Sequence, residues 1–242
     1  MLPKTSDVVI IGGGVMGASV AYHLAERGEV SVTLLEQEEQ FGQGSTGRCA
    51  GGIRHQFSTE VNIRLSIESI KMMERFPAEI GQEIGLNQIG YLFVLDNDQD
   101  FAQFKRNVAL QNSLGIESRV LSVDDIHQRV PLLNLEGIVG GTIYERDGLA
   151  DPNSIVQGYI NKTRQLRRAN LATPITLLNH VSVTEVRLEH GKIQSVVTNM
   201  GEIATETVVI TTGAWSAKIG QMIGHTGPHH PPADNHDIRC FG

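Results

Sequence analysis

The sequence predicts an α/β protein built on a parallel sheet, and three observations support this prediction. An apolar run at residues 8–11 is followed by three consecutive glycines, then by a helical apolar pattern, and then by a second strand-like segment at residues 31–35 (SVTLL). Strands of a buried parallel sheet are apolar on both faces and alternate with helices along the chain. The 242 residues are enough for one large domain or two small ones.

Composition places the chain among ordinary globular proteins. Hydrophobic residues make up 40% and charged residues 19%, which argues against intrinsic disorder and fibrous repeats. The net charge of −7, with no run of Lys and Arg, argues against a nucleic-acid partner. Two cysteines, Cys49 and Cys240, are too few for a disulfide framework and favour a reducing, cytoplasmic location. No apolar stretch is long enough to span a bilayer.

The N-terminal elements form a predicted βαβ unit. Residues 8–11 form the first strand, and the glycines at 12–14 end it. These glycines suit a turn better than the apolar core of a signal peptide, which this region also resembles. A helix is expected from Val15 to a stop at Gly28, and the second strand ends before Glu36.

The middle of the chain alternates loops and amphipathic segments. Residues 37–53 are rich in Gly, Ser, Thr and Gln and are predicted as a loop. A helix follows and is expected to end near Phe76, because Pro77 disfavours helical geometry in the residue before it. A strand is predicted at Tyr91–Leu95, and the next helix has the apolar stripe Phe101, Phe104 and Val108.

The last third of the chain begins with a predicted helix at Asp151 and Pro152, an N-cap carboxylate and a first-turn proline. From 175 to 210 the pattern predicts an antiparallel meander with turns at 190–191 and 200–201. Its final strand, residues 208–210, is uniformly apolar and is expected to return to the main sheet.

A glycine motif gives the first indication of function. Gly12, Gly14 and Gly17 form a GxGxxG pattern between the predicted strand and helix, and Glu36 follows about twenty residues later. The glycines would give a tight turn, close approach to a pyrophosphate and close packing of helix on strand. The Glu36 carboxylate would bind a ribose hydroxyl and repel a 2′-phosphate. NAD, FAD and a glycine-rich turn without a ligand all remain open on this pattern.

Four segments together resemble a known family: residues 9–17 (VIIGGGVMG), 44–54 (GSTGRCAGGIR), 147–152 (DGLADP) and 212–216 (TGAWS). They are similar to segments of the FAD-dependent amine and amino-acid oxidoreductases of the D-amino-acid oxidase superfamily. Within it, the resemblance is to the β subunits of sarcosine oxidase and of dye-linked L-proline dehydrogenase. The motifs occur in the family's order up to about residue 224.

The resemblance implies a Rossmann-type, glutathione-reductase-like FAD-binding domain with an inserted substrate-binding layer of sheet and helix, truncated at the C-terminus. The FAD-binding domain would comprise residues 1–80 and 146–224, and the partial substrate-binding domain residues 81–145. Residues 225–242 do not follow the family pattern. Their prolines and the lack of a periodic apolar pattern predict an extended, poorly ordered tail. Their four histidines suggest metal binding, but the spacing fits no defined metal site. A second subunit is an expected partner.

The resemblance also implies which residues bind the cofactor. Ser45 and Thr46 would offer hydroxyl groups, whereas Gly51 and Gly52 would allow backbone contact with the flavin ring. The full expected set is Gly12, Gly14, Val15, Met16, Gly17, Glu36, Gln37, Ser45, Thr46, Arg48, Gly51, Gly52, Val183, Thr212, Gly213 and Trp215. For Ser45 and Thr46 an ordinary turn role is the alternative, and for Trp215 a buried packing role.

Two residues are expected at the substrate. Arg54 matches the family arginine that binds a substrate carboxylate, and His55 would position the amine. The alternatives are a surface arginine and a structural histidine. A covalent FMN is not expected, because Arg146 precedes Asp147 where the sarcosine oxidase β subunit has the histidine that is linked to FMN.

The predicted activity is FAD-dependent oxidation of a secondary amine or amino acid, such as sarcosine or proline, by hydride transfer to the flavin. The family continues well beyond the length of this sequence, so a non-catalytic FAD-binding fragment is one alternative. An NAD-binding dehydrogenase is the other.

Overall fold

The structure is a computed structural model that describes residues 1–169 and 174–224. The predicted tail at 225–242, with its four histidines, lies outside the described residues. Two compact units are present. The first unit comprises Met1–Ala50, Ile80–Gln82 and the described residues from Pro152 onward, and the second comprises Gly51–Glu79 and Glu83–Asp151.

The described residues contain twelve strands and six α-helices. The strands are β1 (Val8–Ile11), β2 (Val32–Leu35), β3 (Gly52–Ile53), β4 (Tyr91–Leu95), β5 (Arg119–Leu121), β6 (Gly140–Tyr144), β7 (Gly148–Leu149), β8 (Ile175–Leu178), β9 (Val183–Glu189), β10 (Lys192–Thr198), β11 (Gly201–Ala204) and β12 (Thr207–Ile210). The helices are α1 (Val15–Arg27), α2 (Glu60–Ile80), α3 (Asp98–Ser113), α4 (Val123–Arg129), α5 (Pro152–Ala169) and α6 (Ser216–Met222). Short 3-10 helices occupy Thr46–Arg48 and Gly213–Trp215.

Four strands of the first unit form a parallel sheet in the order β12-β1-β2-β8. Val8 of β1 pairs with Val32 of β2 on one side and with Thr207 of β12 on the other. Every residue of β2 is buried, as expected for a strand covered on both faces. The predicted βαβ unit is confirmed, and the strand that contains residues 208–210 returns to the main sheet as predicted.

Helix α1 connects the first two strands of this sheet. It ends at Arg27, and Gly28 takes a left-handed conformation with φ of 69°, so the predicted stop is confirmed. Its buried face includes Ala18, Ala21 and Ala25, small residues that allow α5 to pack closely. The predicted start of α5 at Pro152 is also confirmed.

The predicted meander is correct in part. Strands β9, β10 and β11 form an antiparallel sheet, with turns at the positive-φ residues His190, Gly191 and Gly201. The prediction was wrong for β8, which pairs in parallel with β2, Ile175 opposite Val32. The connection from β2 to β8 passes through the second unit and ends with helix α5, so it is long enough for a parallel pairing. Local strand pattern does not reveal that pairing.

The second unit contains an antiparallel sheet in the order β4-β6-β5 and a separate two-stranded pair of β3 with β7. Across β4 and β6, Tyr91 lies opposite Tyr144 and Phe93 opposite Thr142. Phe104 of α3 packs on Phe93 with the ring centroids 5.4 Å apart. The predicted strand at Tyr91–Leu95 and the apolar face of the following helix are confirmed.

Helix α2 does not end at Phe76, so that prediction was wrong. The helix includes Pro77 and continues to Ile80. A proline inside a helix removes one backbone hydrogen bond, and here it does so in the last turn, where little helix follows. On the exposed face, Arg75 Nε donates to Glu79 Oε1 at 2.7 Å and links the residues on either side of Pro77.

The borders of the units differ from the predicted domain borders. Residues 51–79 and 146–151 lie in the second unit, because β3 pairs with β7 and Ile63 of α2 packs with Tyr144. The loop expected over 37–53 ends in β3 and includes the 3-10 helix Thr46–Arg48. The assignment of FAD-binding and substrate-binding roles to parts of the chain stays a prediction.

Candidate functional site

At the glycine turn after β1, the backbone at Gly12 lies very close to Gly17 of α1 and to Thr211. Gly12 has φ of 106°, and a Cβ there would lie 2.6 Å from the carbonyl oxygen of Thr211. A Cβ on Gly17 would overlap the carbonyl oxygen of Gly12 and approach Thr211 Oγ1 to 2.8 Å. The predicted roles of Gly12 in a tight turn and of Gly17 in close helix packing are therefore confirmed.

Thr211 follows the end of β12 and contacts this turn, a role that the sequence alone did not predict. Its backbone N–H donates to the carbonyl of Ile11 at 2.9 Å, and its hydroxyl lies 2.8 Å from the carbonyl oxygen of Gly12. The only sequence signal was its position directly before the segment 212–216. Parallel pairing of β12 with β1 places Thr211 there.

The N-terminus of α1 has the features of an anion-binding site. Gly14 is its N-cap, and the Val15 N–H donates to Thr46 Oγ1 at 3.2 Å. Residues 15–18 include no acidic side chain, and the side chain of Met16 is exposed. A helix N-terminus directs backbone N–H groups and a partial positive charge toward an anion such as a pyrophosphate.

Glu36 is buried at the end of β2 and already accepts two backbone hydrogen bonds. Oε2 accepts from the Gly13 N–H at 2.7 Å, and Oε1 accepts from the Glu38 N–H at 3.0 Å. A carboxylate has about four acceptor positions, so it can also accept from a ribose hydroxyl. A Cβ on Gly13 would meet the Phe41 ring and Glu36 Cβ. Gly13 and Phe41 were missed, because tertiary packing alone brings them to Glu36.

The other expected cofactor residues of the first unit lie at its surface or are half-buried. Ser45 makes no capping hydrogen bond, and Thr212 Oγ1 donates to Ser216 Oγ at 3.2 Å. Trp215 is 48% exposed, so the alternative of a buried packing role is wrong. The exposed members are Gln37, Ser45, Arg48, Gly213 and Trp215, and the half-buried ones are Thr46, Val183 and Thr212.

In the second unit, Arg54 lies against two aromatic rings. Its guanidinium carbon is 5.0 Å from the centroid of Phe57 and 5.3 Å from that of Phe93. Within residues 1–169 and 174–224, the guanidinium has no hydrogen-bond or ion-pair partner. An arginine whose planar face is stacked keeps its N–H donors available for a carboxylate.

His55 is buried and held by Asp147, a fully buried carboxylate. Asp147 Oδ1 is 2.7 Å from both the backbone N and the ring Nδ1 of His55. The ring also packs edge-on against Tyr144, with centroids 5.0 Å apart. Burial raises the pKa of the Tyr144 hydroxyl. His55 therefore has a structural partner, and its expected role toward the amine stays a prediction.

The two expected flavin-ring glycines precede this segment. Gly51 has φ of 76°, and its carbonyl accepts the Ala150 N–H at 2.9 Å. A Cβ on Gly52 would approach the Tyr91 ring to 3.0 Å. Both positions require a residue without a side chain for reasons within the second unit. Whether they contact a flavin stays a prediction.

Asp147 and Gln56 are the residues of this region that sequence reasoning missed. Gln56 Nε2 donates to Asp147 Oδ2 at 3.0 Å and to the Tyr91 carbonyl at 2.8 Å, while Gln56 Oε1 accepts from Thr142 Oγ1 at 3.0 Å. The one available signal was that Asp147 opens the segment 147–152.

Comparison with known proteins now identifies the family. Residues 7–234 match the family described as FAD dependent oxidoreductase (DAO). The chain belongs to this family. The cofactor left open by the glycine motif is therefore FAD.

Relatives include enzymes of amine and amino-acid oxidation. The chain is 32% identical to sarcosine dehydrogenase, mitochondrial, of Mus musculus, covering 95% of this chain and 25% of that protein. It is 31% identical to dimethylglycine dehydrogenase, mitochondrial, of Rattus norvegicus, covering 93% of this chain and 25% of that protein. It thus spans about a quarter of the length of these relatives.

Solved structures agree on the fold. L-proline dehydrogenase from P. horikoshii superposes with a TM-score of 0.81 at 34% identity, covering 93% of this chain and 57% of that one. Glycine oxidase from Geobacillus kaustophilus gives a TM-score of 0.76 at 23% identity, covering 92% and 59%. The predicted α/β class is confirmed. None of the helices in the described residues has the length and apolar character to cross a membrane.

Proposed function

We propose that this chain carries out FAD-dependent oxidation of a secondary amine or amino acid of the sarcosine or proline type. Arg54 supports this substrate class. It is half-buried and stacked on Phe57 and Phe93, and its N–H donors are unpaired among the described residues. An unpaired guanidinium suits a substrate that bears a carboxylate.

The residues that would hold FAD are in the first unit. The N-terminus of α1 after Gly14 would receive the pyrophosphate, and Glu36 would accept a hydrogen bond from a ribose hydroxyl. Bound FAD would supply the acceptor for the hydride that leaves the carbon next to the substrate nitrogen. The protein's own task is to bind and orient, since flavin carries the difficult chemistry.

Arg54 would fix the substrate by its carboxylate. A bidentate arginine sets both the position and the direction of a carboxylate, and the amine attached to the adjacent carbon is then oriented as well. The rings of Phe57 and Phe93 limit the motion of the guanidinium and reduce the entropy lost on binding. Cytoplasmic location and a second subunit remain predictions.

The first experiment addresses the activity. The purified chain is loaded with FAD, and L-proline or sarcosine is added without oxygen while absorbance near about 450 nm, where oxidised flavin absorbs, is followed. Bleaching by either compound supports the proposal. Retention of FAD with no bleaching by any secondary amine would instead favour the non-catalytic FAD-binding fragment, since the chain spans only part of its relatives.

The second experiment addresses Arg54. The variant Arg54→Lys should raise KM for an amino-acid substrate far more than for an amine without a carboxylate, because lysine cannot bind a carboxylate in bidentate fashion. Arg64→Lys is the matched control, since Arg64 is exposed on α2 and paired with Glu60. Equal changes for both substrates would show that Arg54 acts structurally.

A further inference from the structure

We propose that Asp147 is a positioning residue for Arg54. Its buried carboxylate holds residues 55 and 56 and thereby sets the direction in which the Arg54 side chain leaves the backbone. This inference rests on the proposed carboxylate-binding role of Arg54. It assigns a function to an acidic residue that the proposed reaction itself leaves unused.

Asp147 requires hydrogen-bond donors because it is buried. The residue is 0% exposed, and a carboxylate removed from water is stable only when its oxygens accept hydrogen bonds. Here Oδ1 accepts from the backbone N–H of His55 and faces its ring Nδ1, and Oδ2 accepts from Gln56 Nε2. The hydrogen-bond partners of the Asp147 carboxylate are therefore the two residues that directly follow Arg54.

Each of the residues 55, 56 and 57 is held by hydrogen bonds. Gln56 is bonded to the Tyr91 carbonyl of β4 and to Thr142 of β6. The Phe57 carbonyl accepts from Gln111 Nε2 of α3 at 2.9 Å. Arg54 is thus a side chain with unpaired donors at the start of a segment whose next three residues are all fixed by buried polar side chains.

The position of Asp147 is itself fixed by its neighbours in the chain. Its carbonyl accepts from the Gly90 N–H at 2.8 Å, just before β4. A Cβ on Gly148 would overlap the carbonyl oxygen of Asn87, so the residue after Asp147 must be glycine. Strand β7 then pairs with β3, which ends at Ile53, one residue before Arg54. The same short segment therefore holds Arg54 from both sides.

The substitution Asp147→Asn tests the idea at constant shape. The new side-chain oxygen could still accept from His55, but the new amide nitrogen would face the donor Nε2 of Gln56. Reversing the Gln56 amide would place its oxygen against the Tyr91 carbonyl, so one unfavourable contact remains in either orientation. We expect residues 54–56 to shift and Arg54 to lose its alignment.

The measurement is ligand binding, which needs no turnover. Calorimetry on the FAD-loaded chain compares tetrahydro-2-furoate, a proline-like ring with a carboxylate and no amine, with its neutral amide. The ratio of the two dissociation constants reports the preference for a carboxylate. We expect Asp147→Asn to reduce that preference at least about tenfold while circular dichroism and bound FAD stay unchanged, a loss equal to about 1.4 kcal/mol.

A double-mutant cycle with Arg54→Met separates positioning from general damage. If Asp147 acts through Arg54, Asp147→Asn should change the preference in the parent chain and not in the Arg54→Met chain. Should Asp147→Asn fail to fold, Gln56→Met is measured in the same cycle, because it removes the hydrogen bond to Asp147 at similar volume.

The outcomes distinguish this inference from the proposed function. If Arg54→Met abolishes the carboxylate preference but the Asp147 and Gln56 variants keep it, Arg54 works without the positioning residue and the inference is overturned. If Arg54→Met itself leaves the preference unchanged, the carboxylate-binding role of Arg54 is wrong, and the inference falls with it.

Discussion

The glycine turn of the first unit and the segment around Arg54 in the second unit are built on opposite principles. At the turn, Gly12 and Gly17 let backbone segments approach so closely that no side chain fits between them. Around Arg54, the side chains of Asp147 and Gln56 fill a buried space with hydrogen bonds. Added atoms should therefore damage the first region, whereas removed polar atoms should damage the second.

The largest expected effect comes from adding one methyl group to the glycine turn. Gly17→Ala places a Cβ on the carbonyl oxygen of Gly12, and backbone cannot move aside cheaply. We expect a loss of about 3 kcal/mol in the free energy of unfolding, together with loss of bound FAD. Urea denaturation and dialysis measure the two effects.

Gly44→Ala is the control for this change, because a Cβ there has nothing within 4 Å. It should leave the unfolding free energy within about 0.5 kcal/mol of the parent value. If the two alanine variants behaved alike, the close crossing at Gly17 would not be a determinant of the fold.

Next in size is the loss of the Glu36 carboxylate. Glu36→Ala should weaken FAD binding by about 1.5–3 kcal/mol, since a charge-assisted hydrogen bond to the ribose is lost. It also removes the acceptor of the Gly13 and Glu38 N–H groups, so the melting temperature without FAD should fall as well. A lower melting temperature with unchanged FAD affinity would show that Glu36 only supports the turn.

Gly14→Val should weaken FAD binding more than Glu36→Ala does, because the valine side chain would occupy the path of the pyrophosphate.

Removal of one hydroxyl tests the polar region of the second unit. Thr142→Val keeps the shape of the side chain but leaves the buried Gln56 Oε1 without its donor. We expect a loss of about 1–2 kcal/mol in unfolding free energy. Thr142→Ser, which keeps the hydroxyl, should lose less. The reverse order would mean that the methyl group, and not the hydrogen bond, stabilises this region.

The smallest effect should come from the ion pair between Arg146 and Glu74 in the same unit. Burial acts to raise the pKa of the Glu74 carboxyl, but hydrogen bonds from Arg146 and Gln88 and the charge of Arg146 hold it below its usual value. A carboxyl pKa that is lower in the folded state than in the unfolded state stabilises the fold at pH values above the ordinary pKa near 4.5. This stabilisation is lost as the pH falls through the lower pKa of the folded state.

Arg146→Met should therefore cost less than about 1 kcal/mol at pH 7, because both side chains are partly exposed. The difference from the parent chain should shrink at acid pH as Glu74 becomes protonated. A thermal unfolding series from pH 3 to pH 7 measures this, and a difference that stayed constant across that range would contradict the assigned cause.

The sequence was sufficient for the elements whose signals are local. The βαβ unit, the stop of α1 at Gly28, the start of α5 at Pro152 and the return of β12 to the main sheet were all predicted from apolar runs, glycines and a proline. Each signal lies within about ten residues of the feature that it predicts, because backbone sterics or the apolar character of the strand itself indicates that feature. For β12 the signal predicted only burial in the main sheet, and its pairing with β1, far away in the chain, was decided by the tertiary structure.

Tertiary structure alone decided the rest. It placed Thr211 against Gly12, β8 beside β2 and Asp147 beside His55, three contacts between residues far apart in the chain. It also kept Pro77 inside α2, where the local pattern predicted an end. A buried carboxylate such as Asp147 resembles any surface aspartate in the sequence, because burial and hydrogen-bond partners exist only once separate strands and helices have packed together.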